Sequence, residues 1–230
     1  MRLVTSTPTL LCLVVIFIFP LSAYAIPAIT CHCFTDRSYD AAHPAASDAY
    51  FLATTQNSFF AIVFNTDKKS IVMKKQQGTS PDDLWVAYWV AAKAGKTPDS
   101  LLQAKSKNDS WKNVVVSLNL PPKSLGARFS NALNANVPTD RLSEAVVDEL
   151  FLKDQLLGEK VLADMRKAGA NNQELIIATV IATKTKQSAR QLYLEVKAGT
   201  KTWGSLLSWT KIDTKNMQQE VANILKLHPQ

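Results

Sequence analysis

Cys31, His32 and Cys33 put two of the chain's three cysteines and one of its three histidines at consecutive positions, the densest run of reactive side chains in the sequence. Several chemistries use such residues, and spacing separates them. Covalent haem attachment requires the order Cys-x-x-Cys-His; here His32 lies between the thiols, which excludes it. A lipid-anchoring cysteine is the first residue behind a signal-cleavage box, whereas Cys31 follows "PAIT" six positions past Ala25. Two main readings stay open. In the first, Cys31 and Cys33 form a local disulfide or remain unpaired; an i, i+2 bridge closes so small a ring that it strains the geometry and staples almost nothing. In the second, Cys31, His32 and Cys33 offer thiolate and imidazole ligands to copper or zinc, a site that needs a further ligand such as His43 or Met73. Pairing of a thiol with another chain is a third outcome.

The elements before and after this cluster decide its surroundings. Arg2 supplies a positive start, Leu10–Phe19 is an unbroken apolar run of ten residues, and "AYA" at Ala23–Ala25 has the small side chains a signal peptidase accepts. The run falls well short of the roughly twenty residues needed to span a bilayer as a helix. Residues 1–25 therefore read as a cleaved signal peptide, with a mature chain starting at Ile26, exported to the periplasm or the extracellular space, where thiols tend to pair. Removing residues 1–25 of 230 leaves 205, enough for one core or two small ones. It also removes one basic residue and no acidic one, lowering the net charge from +7 to +6. A basic exported protein can meet another envelope protein or an anionic surface, although its lysines are scattered as they are on any solvated surface. Nucleic acid is not an expected partner, no transmembrane span is expected in the mature chain, and the sequence implies no cofactor and no oligomeric state.

Residues 26–46 carry turn-forming and small side chains without periodicity and read as an irregular arm. From Ser47 onwards the pattern is helical. Ser47 or Asp48 can cap a first helix, and Thr66 a short basic second one. The chain then repeats itself. At an offset of 91, Leu84 meets Leu175, Ala87 meets Ala178, Ala91 meets Ala182 and Leu101 meets Leu192; at an offset of 92, Trp111 meets Trp203 and Val115 meets Leu207. Ser80 before Pro81, Thr97 before Pro98, Asn171 with Glu174 and Ser188 with Gln191 mark helix starts within the copies. Trp111, Val114, Val115 and Leu118, like Trp203, Leu206, Leu207 and Thr210, take the i, i+3, i+4, i+7 places of one stripe. Between the copies, Thr139–Gly169 reads as a helical hairpin or one long helix, with Thr139 or Asp140 as its cap and Gly158 as its division.

The expectation is an all-α fold of two diverged three-helix repeats, 80–120 and 171–212. Residues 47–136 form an N-terminal helical region holding the first repeat. Residues 137–230 form the connecting helices, the second repeat and a C-terminal helix. "KAGTKTWGSLL", Lys197–Leu207, resembles the Lys-x-Gly-x-x-x-Trp-Gly element of small tandem helical repeats in uncharacterised exported bacterial proteins. That resemblance implies architecture and no activity.

An enzyme needs a nucleophile, a base and an orienting group that converge. His32, His43 and His228 lie near the two ends of the chain, and no metalloprotease, nucleophile-elbow, phosphate-loop or dinucleotide motif is present. Carboxylate pairs, such as Asp82 with Asp83, read better as helix starts. Of the five tryptophans, Trp111 and Trp203 are expected in the core, while Trp85, Trp89 and Trp209 are candidates for a binding surface. The leading functional reading is a binding or scaffolding protein of the bacterial envelope. Its alternatives are a redox or metal-handling protein using Cys31, His32 and Cys33, and a cell-wall-active enzyme.

Overall fold

A computed structural model describes residues 38–108 and 110–226. The signal segment, the start at Ile26, Cys31, His32, Cys33 and His228 lie outside the described residues. Within them there are twelve α-helices and no strand. In chain order these are α1 (Asp48–Val63), α2 (Lys68–Gln76), α3 (Pro81–Ala94), α4 (Pro98–Asn108), α5 (Trp111–Ser117), α6 (Ala127–Asn134), α7 (Thr139–Lys153), α8 (Glu159–Lys167), α9 (Asn172–Thr185), α10 (Ala189–Lys197), α11 (Trp203–Trp209) and α12 (Met217–Leu225), with a 3₁₀ turn at Pro122–Leu125. None is long and apolar enough to cross a membrane.

Most helix starts follow from local chemistry. Side chains at N-cap positions accept hydrogen bonds from the orphan amides of the first turn, and Ser80, Ser110, Asn171, Ser188 and Thr202 all do so. Asn171 with Glu174 closes the reciprocal capping box expected from the sequence. Three expected caps fail: α1 starts behind Ser47 with no side-chain cap, the Ser47 hydroxyl donating instead to the Ser38 carbonyl. Helix α2 is capped by Asp67, whose carboxylate accepts from the Ser70 amide at 2.9 Å, one residue beyond Thr66. Helix α7 begins at Thr139 behind Pro138 with no side-chain cap.

Two starts are completed from a distance. The Asp48 carboxylate accepts from the backbone amides of Trp203 at 3.1 Å and Gly204 at 2.8 Å, so the first residue of α1 caps α11. Glu149 of α7 accepts from the Arg128 amide at 2.6 Å at the start of α6. That approach leaves no room for a side chain at Gly126: a Cβ there would lie 2.4 Å from the Glu149 carboxylate carbon, and φ is +84°. Residues 39–46 also pack at the α11 end: Tyr39 sits against the core and the Thr202 hydroxyl donates to the Pro44 carbonyl at 3.0 Å.

The longest helices form the centre. Helix α3 packs against α7 and α1 against α9, while α6 lies on α7 and α12 on α1. Helix α1, early in the chain, thus finds its main partners among the late helices, and α7 its own among the early ones. Phe59 of α1 contacts Trp85 of α3 and Phe151 of α7, with ring centroids 6.2 and 5.6 Å apart, and Phe60, Phe64 and Tyr88 extend this aromatic cluster. The segment 139–169 is two helices: Gln155 takes a left-handed backbone conformation, φ +52°, and Gly158 precedes α8. The chain passes from α6 to α7 through residues 135–138, inside the polar stretch Asn131–Pro138 that interrupts the sequence periodicity.

Candidate functional site

Helix α1 carries an anomaly at its middle. Thr54, Thr55, Gln56, Asn57 and Ser58 are five consecutive polar residues, and all are buried. A helix buried on every side must satisfy these groups internally or from neighbours. Thr55 and Ser58 do it locally, donating to the carbonyls of Phe51 and Thr54 at 2.7 Å each. Thr54 receives the Lys68 ammonium at 2.8 Å, and the Asn57 amide oxygen receives that of Lys75 at 2.6 Å. Burial lowers the Lys75 pKa to about 8, against the opposing pull of the nearby Asp82 charge.

A second polar chain crosses from α3 through α7 and α9 to α8. The Ser143 hydroxyl, fully buried, donates to the Asp82 carboxylate and accepts from the Asn172 side-chain amide at 3.2 Å. Asn172 in turn accepts from Arg166 at 2.6 Å, and the Arg166 guanidinium makes two bonds to one Asp148 oxygen, at 3.0 and 2.8 Å. Burial raises the pKa of Asp148, with Arg166 working against the rise. Burial also raises that of Asp82; the Ser143 bond opposes it, and the neighbouring Asp140, Asp83 and Glu144 charges add to it.

These two systems face a cleft of about 330 Å³ where α1, α3, α7 and α9 meet. Its walls are Gln56 from α1, Pro81 and Asp82 from α3, Asp140, Ser143 and Glu144 from α7, and Asn171, Asn172 and Gln173 at the start of α9. Gln56, 5% exposed as a residue, reaches this cleft from the middle of α1. The Ser143 hydroxyl is thus held between the Asp82 carboxylate, the Asn172 amide and the Asp140 carbonyl, the last at 2.8 Å.

Of the residues singled out from sequence, Trp85 and Trp89 are corrected. They are 1% and 5% exposed, Trp85 within the aromatic cluster and Trp89 donating its indole N–H to the Leu125 carbonyl at 3.0 Å, so neither offers a surface. Their i, i+4 spacing places both on the face that α3 turns inward. Trp209 is 57% exposed, with the Lys201 ammonium 5.9 Å from its ring centroid. Trp111 and Trp203 are each 2% exposed, at the first positions of α5 and α11. His43 pairs with Asp40 at 3.0 Å on the surface, and Met73 is 45% exposed. Among the described residues no group of three His, Cys, Asp or Glu side chains converges to hold a metal.

The sequence reading passed over Gln56, Ser143, Asn172, Arg166 and Lys75. The one visible signal was the run "TTQNS" between aromatic residues of a helix that is apolar at both ends. The chain matches no protein-family model, no curated protein and no solved structure.

Proposed function

We propose that this protein is an exported, non-catalytic binding protein of the bacterial envelope, built as an internal duplication, whose ligand site is the cleft where α1, α3, α7 and α9 meet. The observation that carries the reading is the polar lining itself: Asp82, Ser143 and Asn172, joined in one hydrogen-bonded chain, open with Gln56 onto a cleft of ligand size. Export is supported by the n-region, apolar run and "AYA" box at the N-terminus.

The duplication extends the two expected three-helix repeats to six helices per copy. Helices α7, α8, α9 and α10 each start 91 residues after α1, α2, α3 and α4; α11 starts 92 after α5, and α12 starts 90 after α6. Left-handed residues fall in step: Asn65 with Gln155, Gly78 with Gly169, Gly95 with Lys186, Asn119 with Lys211, and Asn136 with Lys226. Even the buried ion chemistry pairs, since Lys75 on Asn57 stands 91 residues before Arg166 on Asp148. The cleft lies where the copies differ: Gln56, Ser143 and Asp82 face Val147, Leu52 and Gln173 at the corresponding positions. Such divergence at equivalent places is what a single ligand site between two copies requires.

The experiment is a thermal-shift screen of the mature chain against neutral, anionic and cationic small molecules, with Gln56→Leu as the control. Ligands that raise the melting temperature of the parent and not of the variant support the cleft as the site; a screen in which no ligand distinguishes the two overturns it. Cell fractionation with N-terminal sequencing tests export, the expected mature start being Ile26.

A further inference from the structure

Helices α2 and α8 start 91 residues apart and are fastened differently. In α8, Arg166 makes two charge-assisted bonds to the Asp148 carboxylate, at 3.0 and 2.8 Å, and the helix buries Leu162 and Met165. In α2, Lys75 takes the place of Arg166 and Asn57 of α1 that of Asp148, so an ammonium rests on a neutral amide oxygen at 2.6 Å. A second tie has the same character, the Lys68 ammonium on the Thr54 hydroxyl at 2.8 Å. Ile71 is the one residue of α2 that is buried.

An ammonium taken out of water without a carboxylate recovers only part of its lost hydration from an amide oxygen. Helix α1 brings no charge to this contact, since its one charged residue, Asp48, lies at its start. Lys68, Lys69 and Lys74 of α2 are like charges, and Asp99 of α4 is paired with Lys74. Asp82 of α3 attracts Lys75, but burial outweighs that attraction and lowers the Lys75 pKa from 10.5 to about 8. Arginine keeps its charge throughout, so the α8 clamp has no such dependence.

We infer that α2 is a proton-sensitive strap across the middle of α1: charging of Lys75 loosens its hold on Asn57, and loss of that proton tightens it, while α8 stays clamped. The undocked helix exposes Lys75 to water, where it keeps its proton up to the ordinary lysine range; the docked helix releases the proton at lower pH. Docking is therefore weaker below about pH 8 and strengthens as pH rises from there to 10.5, by at most about 300-fold over the whole span. Opening removes the partners of Thr54 and Asn57, so the strap governs access to the polar middle of α1.

Trypsin tests this in the intact chain, because α2 carries cleavage sites at Lys68, Lys69 and Lys74, and α8 at Lys160, Arg166 and Lys167. At low trypsin concentration cleavage tracks the open population. Rates at each site are read by mass spectrometry at pH 7.5 and 9.5, each divided by the rate for an unstructured peptide of the same local sequence. The α2 rate of the parent is expected to fall about tenfold or more between the two, and the α8 rate to stay constant. Lys75→Met abolishes the change. Asn57→Asp supplies the carboxylate that Arg166 has, so α2 is cleaved slowly at both pH values; circular dichroism confirms that both variants are folded. An α2 rate that does not change in the parent, or a change that persists in either variant, overturns the strap. Equal falls in α2 and α8 mean that the whole chain unfolds before cleavage, and overturn it as well.

Discussion

At the scale of single residues, the decisive question is how buried polar groups are compensated. Arg166 and Asp148 are 13% and 12% exposed in their side chains. Removing one partner of such a pair strands the other's charge, at a cost of about 3 to 5 kcal/mol, whereas replacing both with apolar groups is often close to neutral. Arg166→Met is therefore expected to destabilise strongly and the double variant with Asp148→Leu to recover most of the loss, which urea denaturation of the four proteins in the cycle measures. Lys75 has the opposite electrostatic situation, since its pKa falls from 10.5 to about 8 on folding. Between those values the unfolded chain holds a proton that the folded one has released, so stability rises with pH across that window and is lower below it. The full swing is on the order of 3 kcal/mol. Denaturation of the parent and Lys75→Met from pH 7 to 10.5 checks it: the difference between their profiles must show the rise, and parallel profiles would rule it out. Trp203 and Trp209 differ only in surroundings. Trp203→Ala is expected to cost about 3 to 5 kcal/mol and Trp209→Ala less than about 0.5 kcal/mol.

At the scale of elements, the short helices depend on groups supplied from far along the chain. Helix α11 has seven residues, too few to be stable by itself in water. It is held by its own Thr202 cap and by Asp48, 155 residues away in sequence from Trp203. Burial raises the Asp48 pKa, with the bonds from Gly204 and Trp203 opposing the rise. Asp48→Ala is expected to cost about 1 to 2 kcal/mol, read as a lower melting temperature and faster amide exchange in α11 than in α9. Gly204 makes the same junction close-packed, because a Cβ there would lie 3.0 Å from Phe51 and from Tyr39. Local rules located most helix starts, since Ser80, Asn171 and Ser188 act through neighbours two or three residues away. They missed the Asp48 and Glu149 caps because those bonds exist only after distant helices dock.

At the scale of the whole molecule, helices α1–α6 and α7–α12 pack through one another. Helix α1 lies on α9 and α12, and α7 on α3 and α6, so a cut between the halves severs one strand of backbone and none of this packing. A protease site placed in the loop 135–138 should yield, after cleavage, two fragments that co-elute at the size of the intact protein and separate only in denaturant. Separation under native conditions would mean that the interlocked packing does not hold the halves together.

What the amino-acid sequence determined by itself was the helical class and most of its caps, which follow from side-chain pattern and short-range hydrogen bonding. It placed Trp111 and Trp203 inward because each heads an apolar stripe. It did not place Trp85 and Trp89, whose burial depends on which helices cover α3. Only the tertiary structure brought Gln56, Asp82, Ser143 and Asn172 to one cleft, because they come from four helices that meet only when the chain has folded.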